Sequence, residues 1–315
     1  MSAERFTVAV VGAGAVGATM AYAMLVRGSA RRVVLHDINA DKVRAEVLDL
    51  AHGAMFVPEA QVDGSDDVEV CRGADVVVVT AGAKQKPGQT RMDLAETTVE
   101  LMKKILPAVQ GVAPDAVYVM VTNPVDVVTY ASLKITDLPP HRIFGSGTVL
   151  DSSRLRWLVS EACDVAVANV HAYMAGEHGD TEVPLWSSAA IGGVPLLQWE
   201  KQTGRLGAVR REAIADRVVN AAYEVISGKG ATNYAVGLAG ARIVESIRRD
   251  ERRVLPISTL LQDWHGITDV CMSVPTLVGA AGAGQRLLVP VDDDELARLT
   301  ASAEAIRGQA RRLGF

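Results

Sequence analysis

The sequence predicts an α/β protein, with a doubly wound parallel sheet in the first half of the chain and a second, α+β domain after it. In the first half, short apolar strands alternate with amphipathic helices, and the strands are nearly continuous valine runs, as in parallel strands covered on both faces. In the second half, strands and long helices are mixed. The chain has 315 residues, which is enough for two domains. We expect the domains to be 1–147 and 148–315.

The first half contains five predicted strands, each followed by a predicted helix. The strands are 6–11, 32–36, 75–80, 116–121 and 142–145. The helices are 15–28, 40–52, 92–110, 125–134 and 149–163. Right-handed crossovers between such strands produce a sheet that is wound in both directions from its centre.

The second half has a different pattern. Strand-like pieces broken by Gly and Pro occupy 167–200 and include IGGVPLLQW at 191–199. The later elements are helices at 207–228 and 232–249, strands at 253–262, 267–274 and 286–290, and a terminal helix at 292–313. The charge run RRDERR at 248–253 is interpreted as a solvated turn.

Composition argues against several classes of protein. The net charge of −5 and the ordinary apolar content of 49% disfavour a nucleic-acid-binding protein and a protein bound to anionic membranes. The uncharged stretch from Arg5 to Arg27 changes from strand-like to glycine-rich to helical, so we expect a buried strand–turn–helix and not a targeting segment or membrane anchor. Three distant cysteines without ligand spacing predict no disulfide framework, no metal site and a reduced, cytoplasmic location.

A dinucleotide-binding motif follows the first strand. Gly12-x-Gly14-x-x-Gly17 leaves a predicted strand and opens a predicted helix, and Asp37 ends the next strand. Such glycines allow a tight turn and let the backbone approach a pyrophosphate at a helix N-terminus, as in Rossmann-type domains. A carboxylate at the position of Asp37 accepts hydrogen bonds from the ribose hydroxyls and repels a 2′-phosphate. The motif therefore predicts NAD as the cofactor; the alternative is a glycine-rich packing turn without a ligand.

A second group of residues suits the chemistry of a small acid. Asp151 and Arg154 share one face of a predicted helix, where Arg154 could bind a carboxylate through both nitrogens. His178 lies between glycines in GEHGD, and a hydrogen-bonded carboxylate would orient it for proton transfer to a carbinol oxygen. The segment 82–91 follows the third predicted strand and ends in Arg91, which could reach a substrate from a mobile lid. Each element has an ordinary alternative: a surface ion pair, a structural histidine and a solvated loop.

Six segments together resemble the lactate/malate dehydrogenase family, and its L-lactate dehydrogenases in particular. In chain order they are VGAGAVGATMAYAML, TAGAKQKPGQTRMDL, VTNPVDVVTY, GSGTVLDSSRLR, HAYMAGEHGDTEVP and KGATNYAVG. The resemblance extends from about residue 6 to the C-terminus. It implies that His178 donates and accepts the proton, that Asp151 orients it, that Arg154 binds the substrate carboxylate, and that Arg91 polarises the reacting carbonyl from a closing loop.

The resemblance also implies further contacts. Asn123 would touch both substrate and cofactor, Thr232 would line the substrate pocket, and Ser146 would lie near the nicotinamide. The complete set of expected cofactor contacts is Gly12, Gly14, Val16, Gly17, Asp37, Gly82, Ala83, Thr122, Asn123 and Ser146.

Gln85 is the residue that indicates the substrate. By resemblance, lactate dehydrogenases have Gln at this position of the loop, whereas malate-specific relatives have Arg for the second carboxylate. A neutral Gln85 would leave that charge unpaired in a closed, water-poor site. Lys84 and Lys86 flank it and keep a malate or other 2-hydroxy acid dehydrogenase open as the alternative. Gln89 departs from the Glu that the family commonly has there.

Two further residues suggest regulation. By resemblance, Arg156 and His171 match positions that bind fructose 1,6-bisphosphate at a subunit interface of allosteric bacterial relatives, although both could be ordinary interface residues. We expect an NAD-dependent L-lactate dehydrogenase that acts on pyruvate and L-lactate in glycolysis and fermentation, as a homotetramer. A non-catalytic NAD-binding structural protein is the remote alternative, which the joint presence of Arg91, Asp151, Arg154 and His178 disfavours.

Overall fold

A parallel sheet forms the first half of the protein. The computed structural model describes residues 6–83 and 91–315. The first six strands are β1 (Thr7–Val11), β2 (Arg32–His36), β3 (Gln61–Ser65), β4 (Val76–Val79), β5 (Val117–Met120) and β6 (Ile143–Gly145). They lie in the order β3-β2-β1-β4-β5-β6, and all their pairings are parallel. This order is that of a Rossmann-type doubly wound sheet, as the sequence predicts.

Helices cover both faces of this sheet. They are α1 (Ala15–Arg27), α2 (Ala40–His52), α3 (Arg91–Val112), α4 (Val125–Thr136) and α5 (Val149–Cys163). Along β1, Val8 and Val10 belong to one hydrophobic cluster with α1, whereas Ala9 and Val11 belong to another with α3. Successive strand residues therefore pack on opposite faces, which explains why the central strands β1, β4 and β5 are buried throughout and do not alternate.

The sequence analysis missed β3. This strand has the sequence QVDGS, and none of its residues is buried. It pairs only with β2 at the edge of the sheet, so one side of the strand needs no apolar run. Gly64 is required there because a Cβ would lie 2.6 Å from Val43 of α2.

The second half begins with short strands and long helices. The strands are β7 (Val170–His171), β8 (Met174–Ala175), β9 (Val183–Pro184), β10 (Ala190–Ile191) and β11 (Val194–Pro195), and the helices are α6 (Leu196–Thr203), α7 (Ala208–Lys229), α8 (Tyr234–Arg248) and α9 (Asp293–Arg312). The strand-like interpretation of 191–199 is therefore wrong from Leu196 onward. Leu196 is the buried residue of α6, so the short apolar run there anchors a short helix and not a strand.

Three antiparallel strands extend the large sheet: β12 (Arg253–Leu261), β13 (Val270–Gly279) and β14 (Gly282–Arg286). β12 joins β6 through the pair Ser258–Gly145, and β13 and β14 follow in hairpin order. The strand predicted at 286–290 is wrong, because the strand lies earlier, in the small polar sequence GAGQR. Residues 287–290 leave the sheet, and Val289 packs on the cluster around Trp264. Among the described residues, no helix combines the length and the apolar character needed to cross a bilayer.

Candidate active site

The turn after β1 has the close approaches that a dinucleotide-binding loop needs. Gly12 has φ of 108°, and a Cβ on it would lie 2.6 Å from the backbone nitrogen of Ala81. A Cβ on Gly17 would lie 2.0 Å from the carbonyl oxygen of Gly12. At Gly14, which caps the start of α1, a Cβ would meet no atom of the described residues within 4 Å. The first and third glycines are thus needed for packing, and the second leaves the helix N-terminus open to an anion.

The other expected cofactor contacts lie at the same edge of the sheet. Asp37 follows β2, and its carboxylate accepts a hydrogen bond of 2.8 Å from the backbone N–H of Ala13 in the glycine turn. Gly82 lies after β4 against Thr122, which lies after β5, and a Cβ on Gly82 would be 1.9 Å from the Thr122 hydroxyl. Ser146 follows β6, and its N–H donates to Met120. The remaining members of this set are Val16 on α1, Ala83 after β4 and Asn123 after β5.

Asp151, in the first turn of α5, contacts both Arg154 and His178, the residues predicted to bind the substrate and to transfer the proton. One oxygen accepts a hydrogen bond of 2.6 Å from Arg154, and the other lies 2.6 Å from Nδ1 of His178. The Asp151 side chain is only 2% exposed. Because a carboxylate can only accept, Nδ1 carries the hydrogen, and Nε2 is the ring nitrogen left for a substrate.

The segment that carries His178 is fixed at three points. Gly176 forms an isolated bridge with Ser273 of β13, with a hydrogen bond of 2.9 Å in each direction. The N–H of Glu177 donates to Ser302 of α9. The N–H of His178 donates to the buried carboxylate of Asp126 in the first turn of α4, at 2.7 Å. These contacts with β13, α9 and Asp126 together hold the imidazole against Asp151.

The electrostatics of the pair favour a charged histidine. Burial alone would lower the pKa of His178, but the charge of Asp151 and its hydrogen bond outweigh burial and raise the pKa to about 9. Burial would likewise raise the pKa of Asp151, but His178 and Arg154 hold it below its usual value. At neutral pH the pair is therefore an imidazolium beside a carboxylate, ready to donate a proton.

Sequence reasoning missed two buried acids at this site. Asp126 anchors the backbone of His178, and burial raises its pKa to about 6. Glu182 lies four residues after His178 and is 4% exposed. The signal for Asp126 was an acid within the apolar helix VDVVTYASL; for Glu182 it was a second acid in HGDTEVP.

The carboxylates also raise the question of a metal. Asp151, His178 and Glu182 offer atoms within 4.8 Å of one another, a spacing that a metal ion could use. Both oxygens of Asp151 are already bonded, one of them to the guanidinium of Arg154. A cation in direct contact with the carboxylate competes with a metal ion, so we assign this cluster to proton chemistry.

The other predicted residues lie on connecting segments or outside the described part of the chain. Asn123 is exposed just before Asp126. Thr232 is half-buried before α8, and its neighbour Asn233 donates to Thr19 of α1. Gln85 and the flanking Lys84, Lys86 and Gln89 lie outside the described residues, as does the side chain of Arg91, whose backbone begins α3.

Arg156 and His171 lie close together on another surface. Nε of Arg156 donates to the carbonyl oxygen of Ala172, the residue after His171, at 2.9 Å. The guanidinium also lies 4.9 Å from the ring centre of Tyr173. His171 is exposed and Arg156 is half-exposed, so both basic side chains reach the surface, and Arg156 contacts the backbone next to His171.

Comparison with known proteins agrees with this geometry. Residues 6–145 match the family model of the lactate/malate dehydrogenase NAD-binding domain, and residues 148–311 match that of its α/β C-terminal domain. An L-lactate dehydrogenase of Bifidobacterium animalis subsp. lactis is 56% identical over 98% of this chain and 97% of its own. One of Acetivibrio thermocellus is 45% identical over 95% of each chain.

Two solved structures of lactate dehydrogenases are also similar to this chain over nearly its full length. The ligand-bound minor L-lactate dehydrogenase of Enterococcus mundtii has a TM-score of 0.95 at 36% identity and covers 98% of both chains. A lactate dehydrogenase from a Medee basin deep-sea metagenome library has a TM-score of 0.96 at 34% identity, over 99% of this chain and 100% of its own. With its glycine turn, Asp37 and both domain matches, the chain belongs to the lactate/malate dehydrogenase family of NAD-dependent 2-hydroxy acid dehydrogenases.

Proposed function

We propose that this protein is an NAD-dependent L-lactate dehydrogenase that interconverts pyruvate and L-lactate. The observation that carries the proposal is the buried Asp151, which binds His178 with one oxygen and Arg154 with the other. A proton donor and a carboxylate-binding cation are thereby held at a spacing set by one side chain. A 2-oxo acid presents a carbonyl oxygen and a carboxylate on adjacent carbons, which this pair of groups matches.

Each residue of the site then has a role. Arg154 binds the substrate carboxylate, and His178 donates its Nε2 proton to the carbonyl oxygen as the alcohol forms. NADH, when bound, would supply the hydride to the carbonyl carbon. Asp151 keeps the imidazole oriented and protonated; in the reverse direction the same nitrogen, once neutral, accepts the hydroxyl proton.

The remaining predicted contacts complete the site. Asn123 contacts the substrate and the nicotinamide ribose region, and Thr232 lines the pocket. Arg91 polarises the carbonyl when the loop closes. The glycine turn would hold the pyrophosphate of the cofactor, and Asp37 would hold its adenosine ribose. Support for the cofactor contacts is their position, since they follow β1, β2, β4, β5 and β6 at one edge of the sheet.

Gln85 supports pyruvate over oxaloacetate. A second substrate carboxylate would need its own cation inside the closed loop, and Gln85 provides none. The matches to L-lactate dehydrogenases over nearly the full chain agree with this choice.

Steady-state kinetics test the proposal. With NADH, the purified protein should reduce pyruvate with a much higher kcat/KM than oxaloacetate, and with NAD it should oxidise L-lactate. His178→Asn should lower kcat by about 10²–10⁴-fold, the usual contribution of a general acid, while NADH binding measured by fluorescence titration stays unchanged. A preference for oxaloacetate would identify a malate dehydrogenase instead, and full activity of His178→Asn would remove His178 from the mechanism.

We further propose activation by fructose 1,6-bisphosphate at Arg156 and His171. The support is that both basic side chains reach the surface and that Arg156 contacts the backbone next to His171; a two-fold axis there would double their charge beside a bisphosphate. Replacing Arg156 by Gln together with His171 by Gln should abolish activation but leave the turnover at saturating pyruvate unchanged. An activation curve that does not move in this double variant would exclude the site.

We also propose a homotetramer in the cytoplasm, with domain limits at 1–147 and 148–315. Large apolar side chains left exposed on the single chain support assembly. The three cysteines are free and buried, which fits a reducing compartment. Cell fractionation followed by immunodetection tests the location.

A further inference from the structure

Glu182 is a buried acid that the proposed mechanism does not use. It precedes β9 and is only 4% exposed. Among the described residues, its Oε2 has no hydrogen-bond partner, neither donor nor acceptor. An ionised carboxylate with a buried, unpartnered oxygen is costly, and the neutral acid is less so.

The neighbours of Glu182 are the catalytic candidates themselves. Atoms of Glu182, Asp151 and His178 all lie within 4.8 Å of one another. Asp151 and Glu182 are therefore two buried carboxyl groups side by side, an arrangement in which both cannot be ionised at neutral pH. Asp151 has two cationic partners, Arg154 and His178, so Asp151 keeps the charge and Glu182 keeps the proton.

We propose that Glu182 is a positioning residue that is present as a neutral carboxylic acid and donates a hydrogen bond to Asp151. This inference rests on the proposed dehydrogenase function, since it assigns Asp151 the task of orienting His178. The carboxylate of Asp151 then has three donors: His178, Arg154 and Glu182.

The surrounding charges agree with a neutral Glu182. Burial raises its pKa well above the ordinary value, and the charge of Asp151 raises it further, whereas His178 and Arg154 lower it. Asp126 of α4 acts on His178, whose pKa it raises. Burial and the charge of Asp151 are the two effects that oppose ionisation of Glu182.

A neutral Glu182 also has a consequence for substrate binding. A second negative charge beside Asp151 would weaken the attraction of Arg154 for the substrate carboxylate. Keeping the proton on Glu182 leaves Arg154 available to a monocarboxylate at neutral pH.

Two variants test whether Glu182 is present as a neutral acid or as a carboxylate. Glu182→Gln keeps an uncharged hydrogen-bond donor, whereas Glu182→Leu removes the donor. Glu177→Gln is the matched control, because Glu177 is a buried acid of the same segment that binds Thr181 and Gln309 and not Asp151. The measurement is kcat/KM for pyruvate against pH, with NADH saturating.

Glu182→Gln should keep the alkaline pKa of the profile within about 0.3 pH unit of the wild type, as should the control. Glu182→Leu should lower kcat/KM about tenfold and raise the alkaline pKa, because Asp151 loses a donor and attracts the His178 proton more strongly. If the alkaline pKa of the profile falls by about one pH unit or more in Glu182→Gln, Glu182 is ionised in the wild type. Wild-type behaviour of Glu182→Leu would mean that the hydrogen bond has no role. Either result overturns the inference.

Infrared spectroscopy tests the proton directly, without substrate. The difference spectrum between wild type and Glu182→Gln at neutral pH should contain the C=O stretch of a buried protonated carboxyl group. A carboxylate band in its place would overturn the inference even if pyruvate is reduced. Absence of pyruvate reduction by the wild type would instead reject the proposed function and leave the protonation result intact.

Discussion

At the scale of single residues, the two oxygens of Asp151 serve different partners. One holds the proton donor His178 and the other holds Arg154, each at 2.6 Å. The spacing between Asp151 and Arg154 is set by a helix, since the two residues are three apart on α5. His178 comes from a separate segment that must be folded onto α5 by other contacts.

Asp151→Asn tests how much of the basicity of His178 comes from its neighbour. Without the negative charge, the raised pKa of His178, about 9, should fall towards the ordinary value of about 6.5. Pyruvate reduction needs the protonated ring, so kcat/KM should decline at a lower pH than in the wild type. A pH profile taken with saturating NADH measures this shift. An unchanged alkaline limb would show that the Asp151 charge does not control the proton of His178.

Gln85→Arg tests substrate selection. The new cation should pair with the second carboxylate of oxaloacetate and face the methyl group of pyruvate, so the preference should move towards oxaloacetate. Each 1.4 kcal/mol corresponds to about tenfold in specificity; the charge pair gained and the unpaired buried charge removed together supply several kcal/mol. The ratio of kcat/KM for the two substrates is measured in wild type and variant, with Gln89→Glu as a control in the same loop. A change in the ratio smaller than about tenfold would mean that Gln85 does not select the substrate, and Lys84 or Lys86 would be the next candidate.

At the scale of elements, α1 and α8 are packed closely and joined by a buried ion-pair network. A Cβ on Gly237 of α8 would lie 2.8 Å from Thr19 of α1. Further along, the carboxylate of Glu245 accepts hydrogen bonds from Arg27, Ser29 and Arg242. Burial would raise the pKa of Glu245, but these bonds lower it to about 2. The network holds the helix that follows the glycine turn to a helix of the second half.

Glu245→Gln should lower the free energy of unfolding by about 1.5–3 kcal/mol, the range for hydrogen bonds to charged groups. Because the folded pKa is depressed, the wild type has this stabilisation above the ordinary pKa of about 4.3 and loses it as the pH falls towards 2. Urea unfolding at several pH values should therefore show the two proteins converging in acid. Glu69→Gln, at an exposed pair with Arg72, is the control and should change little. A constant difference across this pH range would contradict the assignment.

At the scale of the whole molecule, the single chain exposes large apolar side chains. Met55 and Phe56, in the turn after α2, are 90% and 85% exposed. Tyr22 of α1, Leu48 of α2 and Leu238 of α8 are about half-exposed. Such surface is costly in water, so it is expected to be covered by another copy of the chain.

Phe56→Asp should therefore reduce the assembly. Light scattering after size exclusion should give four times the chain mass of 33.4 kDa for the wild type and a smaller species for the variant, because a buried unpaired charge opposes association. Phe56→Leu keeps the apolar surface and should assemble as the wild type does. Equal masses for wild type and Phe56→Asp would place Phe56 outside any interface.

Local sequence determined most of the parallel domain. The predicted strands at 6–11 and 32–36 and the helix at 149–163 agree with β1, β2 and α5 to within one residue, because buried valine runs and glycine turns act over short distances. The edge strand β3 and the strand β14 were missed or misplaced. Their residues are polar or small, and their pairing depends on neighbours that are distant in the sequence.

The candidate site also has a part that local sequence predicts and a part that depends on contacts between distant segments. Local patterns were enough to predict the glycine turn, Asp37 and the Asp151–Arg154 pair, since a strand end and helical spacing bring those groups together. The contact of His178 with Asp151, the anchoring of its backbone by Asp126 and the burial of Glu182 beside both depend on how distant segments pack. These contacts join α4, α5 and the segment before β9, and the pKa of each group depends on the burial and charge that arise when those elements pack.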